Sequence, residues 1–162
     1  MSPTICGVTI NAFLRRKSAF RILVVATFLL VHGVLPAAAF DRAKVEIEAG
    51  SARHLFLVEV AKTDAERERG LMERTSLPLN TGMFFVFDRE ELVNMWMKDT
   101  IVSLDMIFAD TEGHIVSIAS DTEPMSLRII SSVVPAKSVL EVRAGTARRL
   151  GIRVGDRLSL KP

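Results

Sequence analysis

Short apolar runs separated by clusters of turn-forming residues set the rhythm of the chain from residue 55 onward. Residues 55–60 (Leu-Phe-Leu-Val-Glu-Val), 83–87 (Met-Phe-Phe-Val-Phe), 92–98, 104–109 and 114–118 are rich in apolar, β-branched and aromatic side chains and read as strands. Asp110-Thr111-Glu112-Gly113 reads as the hairpin turn that joins two of them. Residues 133–135 and 137–142 carry further strand signal, broken at Pro135, and residues 157–160 follow the Gly155-Asp156 turn as a last strand. Residues 40–51 suit either a short lead-in strand or a mobile arm. The pattern departs from strand spacing at Thr63. Its hydroxyl can cap a helix while Glu66 reaches back, a capping box that opens a helix to about residue 74. The charge between Lys62 and Arg74 then reads as a solvated face, with Leu71 and Met72 as the apolar contact. Residues 145–151 predict one or two helical turns, with Thr146 as cap and Gly151 as terminator. Strand, helix and strand never alternate for long. The expected fold is therefore mainly β, a compact antiparallel sandwich or barrel with one amphipathic and one short helix.

The N-terminus has a different character. Arg15, Arg16, Lys17 and Arg21 precede an apolar stretch over residues 22–35, and Ala37-Ala38-Ala39 follows. This is the layout of an export signal over residues 1–39, with cleavage expected after Ala39. The apolar stretch falls short of the roughly 20 residues needed to span a bilayer. Membrane attachment is expected only through that signal, if it stays uncleaved. The expected location is the periplasm or the extracellular space, and residues 40–162 form one domain.

Cleavage changes the charge. The whole chain has 21 Lys and Arg against 19 Asp and Glu, a net +2; the signal holds four of the basic residues and no acid, which leaves 17 against 19, a net of −2. A nucleic-acid partner loses its electrostatic basis. The single cysteine, Cys6, leaves with the signal, so disulfides and thiolate chemistry are not expected in the exported domain.

Chemistry concentrates in residues 95–108, where the only tryptophan, a lysine and two aspartates interrupt an apolar sequence. A charge in such a segment must be answered by a partner, or it costs several kcal/mol. Trp96 and Lys98 share one face of an extended strand, and Met95, Met97 and Asp99 share the other. Lys137 and Glu141, also on one face of a strand pattern, can join the same polar group. One reading is a small pocket floored by Trp96 with Lys98 and an acid as polar anchors. The other is a structural ion pair of Lys98 with Asp105 or Glu141. Asp99, Asp105 and Glu141 supply the atoms for a carboxylate-based hydrolase, without spacing that brings them together. Six methionines (Met72, Met83, Met95, Met97, Met106 and Met125) leave a thioether copper site open, against ordinary core packing. His54 and His114 form no zinc-ligand spacing, and no serine-nucleophile or phosphate-loop motif occurs. No metal and no cofactor is called for.

Taken together, several motifs resemble the DUF192 family. They are Val58-Glu59-Val60-Ala61, the Thr63, Glu66, Arg67, Gly70, Leu71, Met72 and Arg74 set, and Gly82-Met83 with Phe85 and Phe87. Trp96-Met97-Lys98-Asp99-Thr100-Ile101 and Leu104-Asp105-Met106-Ile107-Phe108 follow, then Pro135-Ala136-Lys137 with Val139-Leu140-Glu141-Val142, and the late Gly145 and Gly155-Asp156. The family usually has Asn where this chain has Asp99, and Pro where it has Ser103. The resemblance implies a compact, jelly-roll-like β fold and no established reaction. The expectation is thus an exported, non-enzymatic module that binds a small ligand or an envelope protein. Trp96, Lys98 and Asp99 are its anchors, and Asp105, Lys137 and Glu141 support them. A small hydrolase or a methionine copper protein is the alternative.

Overall fold

The structure, a computed structural model, describes residues 39–161. The export signal expected over residues 1–39 lies outside them except for its last residue. No described helix is long and apolar enough to cross a membrane.

Residues 40–51 form a strand and not an arm. β1 (Asp41–Ala49) alternates buried Val45 and Ile47 with Glu46 and Glu48, and it turns back into β2 (Ala52–Ala61). Thr63 caps α1 (Asp64–Arg69), and both hydrogen bonds of the capping box form. The helix stops at Gly70, shorter than its charge pattern predicts; residues 71–73 continue only as turns. β3 (Thr81–Glu91) runs parallel to β2. The apolar run at 92–98 yields only the two-residue β4 (Asn94–Met95), because the backbone leaves the ladder. Met97 N–H instead donates to Ser126 O, and Asp99 takes a left-handed φ of 51°. β5 (Leu104–Ala109) and β6 (Ile115–Ala119) form the expected hairpin. β7 (Ile130–Ser131) pairs with β4 in a small ribbon. Residues 133–135 are not a strand, and Val133 has a φ of 68°. β8 (Ala136–Arg143), α2 (Thr146–Leu150) and β9 (Arg157–Lys161) complete the chain.

Seven strands make one curled sheet in the order β6-β5-β8-β3-β2-β1-β9, antiparallel except at β2–β3, a half-barrel with two short helices. Its ends meet at the turn before β6. Leu158 N–H donates to Gly113 O at 2.7 Å, and Ile115 N–H to Asp156 O at 2.8 Å.

Both faces of the central strands are covered, which accounts for their near-continuous apolar sequence. Val45, Ile47, Phe56, Phe84, Ile107, Leu140 and Leu158 pack on one face together with Ala147 of α2. Met83, Phe85, Met97, Leu104, Met106, Phe108 and Val139 pack on the other, with Leu71 from the turn after α1. Phe84 and Phe85, adjacent in sequence, thus belong to different cores. The second core lies beneath the candidate site.

Candidate functional site

Glu141 is the unusual residue of that second face. In β8 it stands between Met83 of β3 and Met106 of β5, both fully buried. It is itself only 4% exposed. Burial alone pushes its pKa up from 4.5 to about 8; no hydrogen bond or opposite charge among the described residues offsets it. The carboxyl is therefore protonated at neutral pH. It lines a cleft of about 330 Å³ whose walls come from α1, the turn after it, β3 and residues 94–100. The apolar wall is Leu71, Met72, Phe85, Phe87, Met95 and Trp96.

The cations around this cleft are held in different ways. Arg67, whose side chain is 15% exposed, turns inward from α1. It donates to Val86 O at 2.8 Å and to Lys62 O, pairs with Asp64, and lies 5.4 Å from the Phe87 ring centroid. Lys98 places its ammonium 5.2 Å from the Trp96 ring centroid. Among the described residues no carboxylate forms an ion pair with Lys98, so the structural pairing with Asp105 or Glu141 is not formed. Trp96 is 39% exposed at the mouth, a large ring open to solvent.

Three of the six sequence candidates therefore meet in the cleft: Trp96, Lys98 and Glu141. The other three are placed elsewhere. Asp105 is fully buried on the opposite face, where it does the capping expected of Thr146. Its oxygens accept from the backbone N–H of Asp121 at 2.9 Å, Gly145 at 3.1 Å and Ala147 at 2.8 Å, and Gly145 supplies no side chain for the start of α2. Lys137 donates to Asp88 O at 2.7 Å near the far end of β8. Asp99 is exposed beside Glu73, whose N–H donates to Asp99 O at 2.8 Å. Its left-handed backbone explains why Asn and Asp suit the position, since their short polar side chains tolerate that conformation.

Of the methionines, Met83, Met97 and Met106 are sealed in the core, and Met97 Sδ already accepts from the Thr122 hydroxyl at 3.2 Å. Met95 and Met97 do not face one way as a regular strand would place them: Met95 lines the cleft and Met97 the core. Sequence reasoning missed Arg67, Phe85 and Phe87 as cleft residues. The charged stretch around Arg67 reads as solvated, and the two phenylalanines read as ordinary core.

Comparison with known proteins agrees with this architecture. A crystal structure from Sinorhizobium meliloti 1021, provisionally described as a transcription regulator, is 38% identical. It superposes with a TM-score of 0.75 over 76% of this chain and 97% of that one. A protein of unknown function from Novosphingobium aromaticivorans DSM 12444 is 34% identical, with a TM-score of 0.74 over 77% of this chain and 89% of that one. No curated protein matches the chain. The profile of DUF192, described as uncharacterized ACR, matches residues 45–160, which spans the sheet from β1 to β9. The chain belongs to the DUF192 family.

Proposed function

We propose that this protein is an exported, non-enzymatic module that binds a small ligand in the cleft between α1 and residues 94–100. The observation that carries the reading is Glu141. A carboxyl on a residue only 4% exposed, with no partner among the described residues, is unfavourable for folding. A leucine or methionine would fill the space between Met83 and Met106 at no such cost. Polar groups that lower stability and open into a cleft are characteristic of binding sites. Trp96 and Lys98 at the mouth add an aromatic platform and a cation without a carboxylate partner among the described residues.

A hydrolase reading has one point in its favour, the raised pKa of Glu141, which suits a general acid. The expected second carboxylates are not there, since Asp105 is committed to backbone N–H groups and Asp99 lies outside the cleft. The other acid that lines it, Glu68, is exposed on α1, in solvent and not in an environment that sets it apart as a catalytic partner. The regulator description of the Sinorhizobium relative would call for a nucleic-acid face, and the −2 balance of residues 40–162 gives little basis for one.

Ligand-observed NMR with a fragment set tests the binding reading. Hits are expected that bind the wild type and are lost in both Glu141→Leu and Trp96→Ala while each variant still melts cooperatively. Hits that ignore both substitutions would contradict it. Turnover on an ester, amide or glycoside panel, lost in Glu141→Gln, would replace it with the enzyme reading. Export is tested separately. N-terminal sequencing of protein from a periplasmic extract is expected to begin at Phe40, and full-length chain confined to the cytoplasm would contradict it.

A further inference from the structure

We infer that the cleft selects a small organic anion, with an apolar body against Trp96 and Phe87, its negative group at Lys98, and a hydrogen-bond acceptor directed at the Glu141 carboxyl. This deepens the proposed function and rests on it. The charges that line the cleft are Arg67, Arg69 and Lys98 against Glu68 and Glu141. Of the two acids, Glu68 is exposed on α1, and Glu141 is neutral and buried on the floor. The cleft thus presents cations to an entering molecule and no buried negative charge to meet a second cation.

The three cations differ in what they can give. Arg67 spends its donors on Asp64, Lys62 O and Val86 O, so it contributes field and shape more than a free hydrogen bond. The guanidinium of Arg69 lies 5.8 Å from the Phe40 ring centroid. Neither Arg69 nor Lys98 has an anionic partner among the described residues, but only Lys98 sits over Trp96, at the mouth where an aromatic or aliphatic body would enter. An ammonium held near an apolar ring is less hydrated than one in bulk water, which strengthens its attraction for an anion. Deeper in, a protonated carboxyl offers one O–H donor and one carbonyl acceptor. A ligand that brings a second cation would have to ionise Glu141 while passing Lys98 and Arg67. A volume of about 330 Å³ suits a molecule of amino-acid or dipeptide size.

The test uses three probes of one shape: 3-phenylpropionate, 3-phenylpropanamide and 3-phenylpropylamine, titrated at pH 7 into residues 40–162 produced by export of the full chain. Trp96, the only tryptophan, reports binding by its fluorescence. The acid is expected to bind about tenfold or more tightly than the amide, with the amine weakest, and Lys98→Met is expected to erase the preference while the melting curve stays in place. An amine or amide that binds as tightly as the acid, or a preference that survives Lys98→Met, overturns the anion inference and leaves the cleft a ligand site. If none of the three perturbs Trp96 at millimolar concentration and fragment screening also finds no cleft-dependent hit, the ligand-site reading fails as well.

Discussion

Asp105 and Glu141 stand one residue apart in the register of neighbouring strands, and their carboxyls leave the sheet on opposite faces. Asp105 pairs with Val142, whose side chain lies in the core with Ala147; Glu141 pairs with Met106, which lies in the core beneath the cleft. The first carboxyl is answered by three backbone N–H groups, and the second by nothing described. Two buried acids on neighbouring strands of the sheet are thus expected to act on stability in opposite directions.

Asp105→Ala should be strongly destabilising. It leaves the N–H groups of Asp121, Gly145 and Ala147 without their acceptor and the start of α2 uncapped. The expected loss in urea unfolding is about 3 kcal/mol, from unsatisfied buried donors and a lost cap. Ligand binding by the protein that remains folded should be little changed, since Asp105 lies on the other face.

Glu141 should make stability depend on pH in a defined direction. Its pKa is about 8 in the folded chain and near the ordinary 4.5 when unfolded, so between these values the folded state holds a proton that the unfolded state has released. The stability it allows is fully present below pH 4.5, falls as pH rises toward 8 with a slope of about 1.4 kcal/mol per pH unit, and levels off above. Urea unfolding of wild type and Glu141→Gln between pH 5 and 9 checks this. The difference between them should carry the slope, and parallel curves would contradict it.

Lys98→Ala should leave stability almost unchanged, within about 1 kcal/mol, because the ammonium has only the Trp96 ring as a described partner. A buried ion pair would instead lose several kcal/mol. Thermal melting distinguishes the two.

Gly82 and Gly113 mark places where the backbone passes too close for a side chain. A Cβ on Gly82 would lie 2.2 Å from Glu141 O, and one on Gly113 would lie 2.2 Å from Leu158 O, where φ is also +86°. Gly82→Ala should force β3 away from β8, cost about 3 kcal/mol and weaken binding by shifting Glu141. Gly113→Ala should instead loosen the junction between the β5–β6 turn and β9 and leave the cleft intact. Hydrogen exchange of the Leu158 amide, which donates to Gly113 O, reads that loosening.

Much of this fold was legible because apolar runs in covered strands are hard to misread: residues 83–87 and 104–109 fall inside β3 and β5. β1 was ambiguous since Glu46 and Glu48 dilute an alternation whose buried members are only Val45 and Ile47. Residues 92–98 misled for the opposite reason. Their apolar side chains serve irregular backbone that reaches the core at Val93 and Met97 and leaves Leu92 and Trp96 exposed. At the site, strand parity separates Asp105 from Met106, but only the register of β5 on β8 decides which of them shares a face with Glu141. The inward turn of Arg67 depends on Val86 O and Phe87, which sequence spacing does not bring near α1.

The central claim is that Glu141 is retained against the interest of the fold, for a molecule that comes from outside. Urea unfolding of Glu141→Leu beside wild type at pH 7 tests it most directly. A variant more stable by about 1–3 kcal/mol that no longer binds in the cleft is the expected result. A variant less stable by that amount would show that the carboxyl already has its partner within the protein, and the claim would fall.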